Sequence, residues 1–329
     1  LLACESSVSS FDPAAATEAA GTVVTALQQS PAFQTMSVLG DDITVGAPPA
    51  PLIWAALPNE AFAQGRLTDW ARLGAETLAS HADLLAPIFP SDLLGKTFTY
   101  NLSQSRYEVS TQPGAPATGV RFVLYAVNIV AHTVQQPLNP VGYLDLTDLS
   151  DPSAAVLGVK IVINNATLLD YQASATFSTG SIAFGADGSI SDGQTTVEFD
   201  LTQSVTSGPT IAVDYRLAVP EEQVELELVA TITAAQSDIN LTIAYQGTTT
   251  IVHAEGNPNG IVGMITHNDA LVVNIAGTPD NPVFTDPSGA ELSPAQIEAL
   301  QNLFDSTDAL LDAFDELLGP AHRLLGIPL

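Results

Sequence analysis

From Thr97 to about Phe284 the chain alternates apolar and polar residues with a period of two, and this feature narrows the fold more than any other. The clearest run is Ile211, Val213, Tyr215, Leu217 and Val219, with Asp214 and Arg216 between them. Pro220-Glu221-Glu222-Gln223 interrupts it, and Val224, Leu226, Leu228 and Ile232 then alternate with Glu225, Glu227 and Thr231. After Gln236-Ser237-Asp238 come Ile239, Leu241, Ile243 and Tyr245, ending at Gly247. Side chains alternate between the faces of a strand, so the pattern predicts strands with one covered face and one wet face. Further strands are expected over 97–103, 120–130, 141–147, 157–164, 168–178, 195–203, 249–254, 261–266 and 270–276. The breakers are short, which favours antiparallel neighbours in a meander and leaves no room for the helical crossovers of a doubly wound nucleotide-binding fold. Gly185-Ala186-Asp187-Gly188 and Asp192-Gly193 read as hairpin turns.

Both flanks of the alternating region are helical in pattern. Ala14–Gln29 reads as a helix ending before Pro31, 41–58 as a Pro- and Ala-rich loop, and Glu60–Leu85 as a second helix with Phe62, Leu67, Trp70, Leu73 and Leu78 on one face. Near the C-terminus Ser293-Pro294-Ala295-Gln296 offers an N-cap, a proline at the first helical position and a capping-box glutamine. Ile297, Leu300, Phe304, Leu311, Phe314 and Leu318 follow at three- and four-residue steps, widened by Leu303, Leu310 and Leu317, and Gly319-Pro320 is expected to end the helix. His322 and Arg323 then lie just past its carbonyl end, where positive charge is favoured. So broad a stripe suits packing on the sheet better than a coiled-coil seam.

The fold expected is α+β: a large, strongly curved antiparallel meander with N-terminal and C-terminal helices packed on one face. About a dozen strands make a flat open sheet unfavourable. The alternative is a β-sandwich with helical ends. Residues 1–13 are expected to comprise a short N-terminal motif around Cys4 and a tether, 14–92 an N-terminal helical segment and 93–329 the antiparallel β body with its helix over 293–318, with 14–329 one folded unit.

Charge limits the partners. There are 36 Asp and Glu but only 8 Lys and Arg, giving a formal net charge of −28. Phosphate contacts need Lys and Arg, so nucleic-acid binding is excluded, as is electrostatic docking on anionic lipid. The one cysteine, Cys4, rules out an internal disulfide. It stands in Leu1-Leu2-Ala3-Cys4, which resembles the lipobox of bacterial lipoproteins. That resemblance implies acyl chains on Cys4, export, and anchoring in the periplasm or on the outer membrane. Glu5-Ser6-Ser7-Val8-Ser9-Ser10 is small and polar, like the tether of that family.

No catalytic constellation stands out. There is no Gly-x-Ser-x-Gly elbow, Ser-x-x-Lys or P-loop, and His81, His132, His253, His267 and His322 are scattered. His253 in a strand reads as structural and His267 in a turn as solvated. The chain therefore reads as non-enzymatic, with no cofactor. Calcium is the exception to weigh: Asp145, Asp148 and Asp151 recur every third residue, Asp187, Ser189 and Asp192 are expected in one Gly-rich loop, and Asp280, Asn281, Asp286, Ser288 and Glu291 in the loop before the last helix. Asp280, Asp286 and Glu291 make the best-supplied candidate, although Asx turns account for the same residues without metal.

A bent sheet with helices across its concave face can enclose an apolar ligand, and Tyr171, Phe177, Phe199, Tyr215 and Tyr245 are the candidate lining residues. In outline this resembles the half-barrel periplasmic carriers of lipids and lipoproteins. The leading reading is thus an anchored binding protein holding an apolar ligand between sheet and helices. The alternative is a structural or surface lipoprotein with a solid core, acting through protein contacts or self-assembly.

Overall fold

The structure, a computed structural model, describes residues 13–40, 42–43, 87–206, 210–233, 235–257, 259–278 and 281–325. Cys4, the helix expected over Glu60–Leu85 and Asp280 lie outside them.

Among the described residues seventeen strands follow one another: β1 (Lys96–Asn101), β2 (Arg106–Ser110), β3 (Gly119–Tyr125), β4 (Val127–Asn128), β5 (Thr133–Val134), β6 (Pro140–Asp148), β7 (Ala155–Ile163), β8 (Ala166–Ser178), β9 (Ser181–Ser191), β10 (Thr196–Thr206), β11 (Thr210–Val219), β12 (Val224–Thr233), β13 (Ser237–Tyr245), β14 (Thr248–Asn257), β15 (Gly260–His267), β16 (Ala270–Thr278) and β17 (Asn281–Thr285). β4 and β5 make a separate ribbon, and the other fifteen form one continuous sheet in the order β17 through β6, then β3, β1, β2. Its pairs are antiparallel except that β1 runs parallel to β3, with Lys96 opposite Val120. The β1–β2 hairpin places β2 outermost, so β3 returns beside β1 in the same direction. One sheet replaces the two stacked sheets of the sandwich alternative.

Turn chemistry sets the register. Asn164-Asn165, Gln246-Gly247 and Asn268-Asp269 each place both central residues at positive φ, between 48° and 83°. Such mirror-image turns match the right-handed twist of the strands they join. Alternation then carries through: in β11 Ile211, Val213, Tyr215, Leu217 and Val219 are buried while Asp214 and Arg216 are exposed, and in β12 Val224, Leu226, Leu228, Ala230 and Ile232 are buried.

Three helices are described. α1 (Pro13–Gln29) packs against β9, β10, β12 and β13, and α2 (Pro31–Leu39) against β7, β8 and β9. α3 (Pro294–Leu324) packs along α1, whose Ala16, Ala19, Ala20 and Val23 are buried. The capping box forms as expected, with the Gln296 amide donating to Ser293 Oγ and the Ser293 amide donating to Gln296 Oε1. Gly319-Pro320 does not end the helix, which runs on to Leu324. Leu317, Leu318, Ala321 and Leu325 are all buried there. Each large apolar side chain so buried contributes roughly 1.5–3 kcal/mol, enough together to offset the ~3 kcal/mol cost of an internal proline.

A second correction concerns Gly185–Gly188. These residues are the middle of β9, paired on both sides, and not a turn. Asp192-Gly193 is the turn, with Asp192 accepting from the amides of Gln194 and Thr195 at 2.8 Å each.

Candidate functional site

Three strands and α3 converge on one aromatic group. Gly188 of β9 lies opposite Tyr171 of β8 on one side and Phe199 of β10 on the other. A Cβ at Gly188 would stand 2.4 Å from both the Asp170 carbonyl oxygen and Tyr171 Cβ, so only glycine fits without a backbone shift. Over that gap the Tyr171 and Phe199 rings meet edge to face at 5.8 Å, and Phe314 of α3 meets Phe199 at 5.5 Å. The Tyr171 hydroxyl reaches the Leu317 carbonyl at 3.5 Å, and burial pushes its phenol well above the usual range. Tyr171, Phe199 and Phe314 are 2%, 4% and 3% exposed. Two expected lining residues are thus brought together and covered by the helix.

The other three are elsewhere. Tyr215 is buried in β11 opposite Leu201 and Leu228. Phe177 is only partly buried, near the end of β8 opposite Ile182. Tyr245 closes β13, and its phenol is raised by desolvation and then by the charge of Glu18 of α1.

Farther along α3, His322 is buried in the helix rather than lying past its end, its ring 3.9 Å from that of Phe184. Burial holds the imidazole neutral, and the adjacent Arg323 charge acts in the same direction. Arg323 donates to the Gly40 carbonyl at 2.7 Å and so closes the C-terminal end of α2. On another stripe of α3, Asp308 is raised to about 6 by desolvation and by its neighbours Asp312 and Asp305.

The acidic loops serve their own turns. Asp286 Oδ1 accepts from the Ser288 hydroxyl at 2.6 Å and from the amides of Ser288 and Ala290 at 2.8 and 2.9 Å. Those donors, the Ser288 hydroxyl first, hold its carboxyl below the usual range. Glu291 is exposed and bridges through its backbone to Thr285. Asp145 takes a two-pronged bond from Arg121 at 2.6 and 2.7 Å, with the guanidinium over the Tyr143 ring at 3.7 Å. Asp148 accepts from the amides of Ile88 and Ser150, and Asp151 from those of Ser153 and Ala154. Asp187 lies on β9 opposite Asp200, not in a loop with Asp192. Among the described residues no three His, Cys, Asp or Glu side chains gather as a metal site.

The two strand histidines have carboxylate or hydroxyl neighbours. His253 stands 3.7 Å from Asp238 and 3.6 Å from Glu255. His267 is not simply solvated: its Nδ1 lies 3.0 Å from Thr250 Oγ1.

Sequence reasoning placed Phe314 on the apolar stripe of α3 but did not pair it with Phe199. Gly188, read from the sequence as part of a turn, is instead the strand position over which the rings meet. Comparison with protein-family models, curated proteins and solved structures gives no match.

Proposed function

We propose that this chain is an exported, non-catalytic lipoprotein, tethered through acyl chains on Cys4, that works through protein contacts made by a solid β body. The observation carrying this reading is the aromatic group at Gly188. Where a carrier would hold an apolar ligand, Phe314 already lies against Phe199, and the backbone of α3 at Leu317 receives the Tyr171 hydroxyl. This weighs for the contact protein over the ligand carrier. Exposed apolar side chains on the outer face, Val262 and Met264 among them, point the same way.

We further infer that the sheet curls strongly around the helices on one face. Fifteen strands spaced ~4.8 Å apart would span about 70 Å if flat, against about 10–12 Å for the width of a helix. Yet inward residues are buried from Val120 in β3 to Ile275 in β16. Curling lets α1, α2 and α3 serve so wide a face.

Native mass spectrometry of the chain carrying Cys4→Ser, purified without detergent, tests the functional reading. The expected result is the mass of the polypeptide alone or of whole-number oligomers. A retained adduct of lipid mass, released by organic solvent, restores the carrier and overturns the contact protein.

A further inference from the structure

The last turn of α3 is joined to the rest of the helix by its weakest step. Pro320 has no amide to donate, so the backbone ladder loses a bond there, and Gly319 beside it has the freest backbone in the helix. The turn beyond is held by its side chains. Ala321, His322 and Leu325 are buried. The His322 ring meets Phe184 of β9 edge to face at 3.9 Å. Arg323 donates to the Gly40 carbonyl at 2.7 Å, and Pro320 Cγ lies so near that a Cβ on Gly40 would stand 3.6 Å from it. The turn therefore seats the C-terminal end of α2, which packs on β7, β8 and β9.

We propose that this turn, residues 321–325, is a latch on α2 that acid releases by hinging at Gly319-Pro320. The device stands apart from the question of ligand carrier or contact protein. A neutral imidazole serves as an aromatic ring against Phe184, whereas an imidazolium there is a desolvated positive charge beside Arg323. The charges on the surrounding elements lie elsewhere. The cross-strand neighbours of Phe184 are Ala175 of β8 and Gln203 of β10, while Asp170 of β8 and Asp187 of β9 are exposed and Lys160 of β7 pairs with Asp170. α2 contains no Asp, Glu, Lys or Arg. Asp42 beyond it acts on Tyr100 of β1, and Glu18, the one charge of α1, acts on Tyr245. On α3 Glu316 is exposed, and Arg323 is the charge that reinforces burial in keeping the ring neutral. The closed latch refuses a proton that the open turn accepts near 6.5. Closure is at full strength above that value, and opening rises up to about tenfold for each pH unit below it. Asp308 lies before the hinge and titrates in the opposite sense, so it does not drive the release.

Amide hydrogen exchange read by NMR on the full chain with Cys4→Ser, at about pH 7.5 and about pH 5 and corrected for intrinsic rates, tests the latch. The reporters are the amides of residues 322–325 and that of Gly40, which donates to the Met36 carbonyl. Their opening is expected to rise about thirtyfold at the lower pH and to exceed that of residues 303–317, which stay closed with β8 and β10. His322→Phe keeps a ring against Phe184 and removes the titrating group, and the rise shrinks to less than about twofold. The comparison of the two segments in the parent chain stands whether or not that variant folds well. Equal opening of both segments at about pH 5, no change in residues 322–325 between the two pH values, a Gly40 amide that stays closed while they open, or the same rise in His322→Phe overturns the proposal.

Discussion

Gly188 and the side chains around it are where single atoms decide the packing. Gly188→Ala puts a Cβ 2.4 Å from the Asp170 carbonyl oxygen and Tyr171 Cβ, and β9 is pinned on both sides, so little can move. The expected loss is about 1–3 kcal/mol, read as a lower urea midpoint at unchanged slope. On α3 two groups titrate in opposite senses. Asp308 is raised to about 6 from 3.8, so the folded state holds its proton more tightly and stability falls as pH rises through that window. Allowing for solvent screening of a half-exposed group, Asp308→Asn stabilises by about 1 kcal/mol at pH 7, and the gain vanishes below about pH 4. His322 is lowered from 6.5, so its contribution is present above that value and is lost as pH falls, because the unfolded chain takes up a proton the buried ring refuses. Replacing His322 with Leu makes the acid limb of a stability-against-pH curve shallower.

At the scale of elements, α3 is the piece that sheet and helices share. Ser293→Ala removes the cap that accepts from Gln296 and costs about 1 kcal/mol. Phe314→Ala empties the position over Phe199 and costs roughly 3–5 kcal/mol in the same urea measurement. Much of this level was readable in the residues: the alternation of β11–β14, the turn at His267 between two strands and the capping box were all legible. The failures share a cause. At Gly185–Gly188 and at Pro320 the local signal is a breaker, and tertiary packing overrides it: aromatic rings close over Gly188, and buried Leu317, Ala321 and Leu325 carry the helix past Pro320. The pairing of β1 with β3 was hidden for another reason, because strand order depends on which side of a hairpin the chain returns to. Of the five expected lining residues, alternation identified the inward ones such as Tyr171, Phe199 and Tyr215, but it carries no information on what lies above them.

Across the whole molecule, a long open sheet has two edges to protect, and both are short. β2 carries Arg106 and Glu108, paired at 3.1 Å, and β17 carries Pro282. Pro282→Thr restores a backbone donor at the edge and is expected to raise aggregation on heating, seen by light scattering. The central claim is that α3 is a permanent part of the core over Tyr171 and Phe199, and not a cover that opens for a ligand. Amide hydrogen exchange tests it most directly. If the claim holds, amides from Leu303 to Ala321 exchange as slowly as those of β8 and β10, in step with global unfolding. If α3 exchanges markedly faster than the strands beneath it, through an opening of its own, the helix is a lid and the account of a solid contact protein is contradicted.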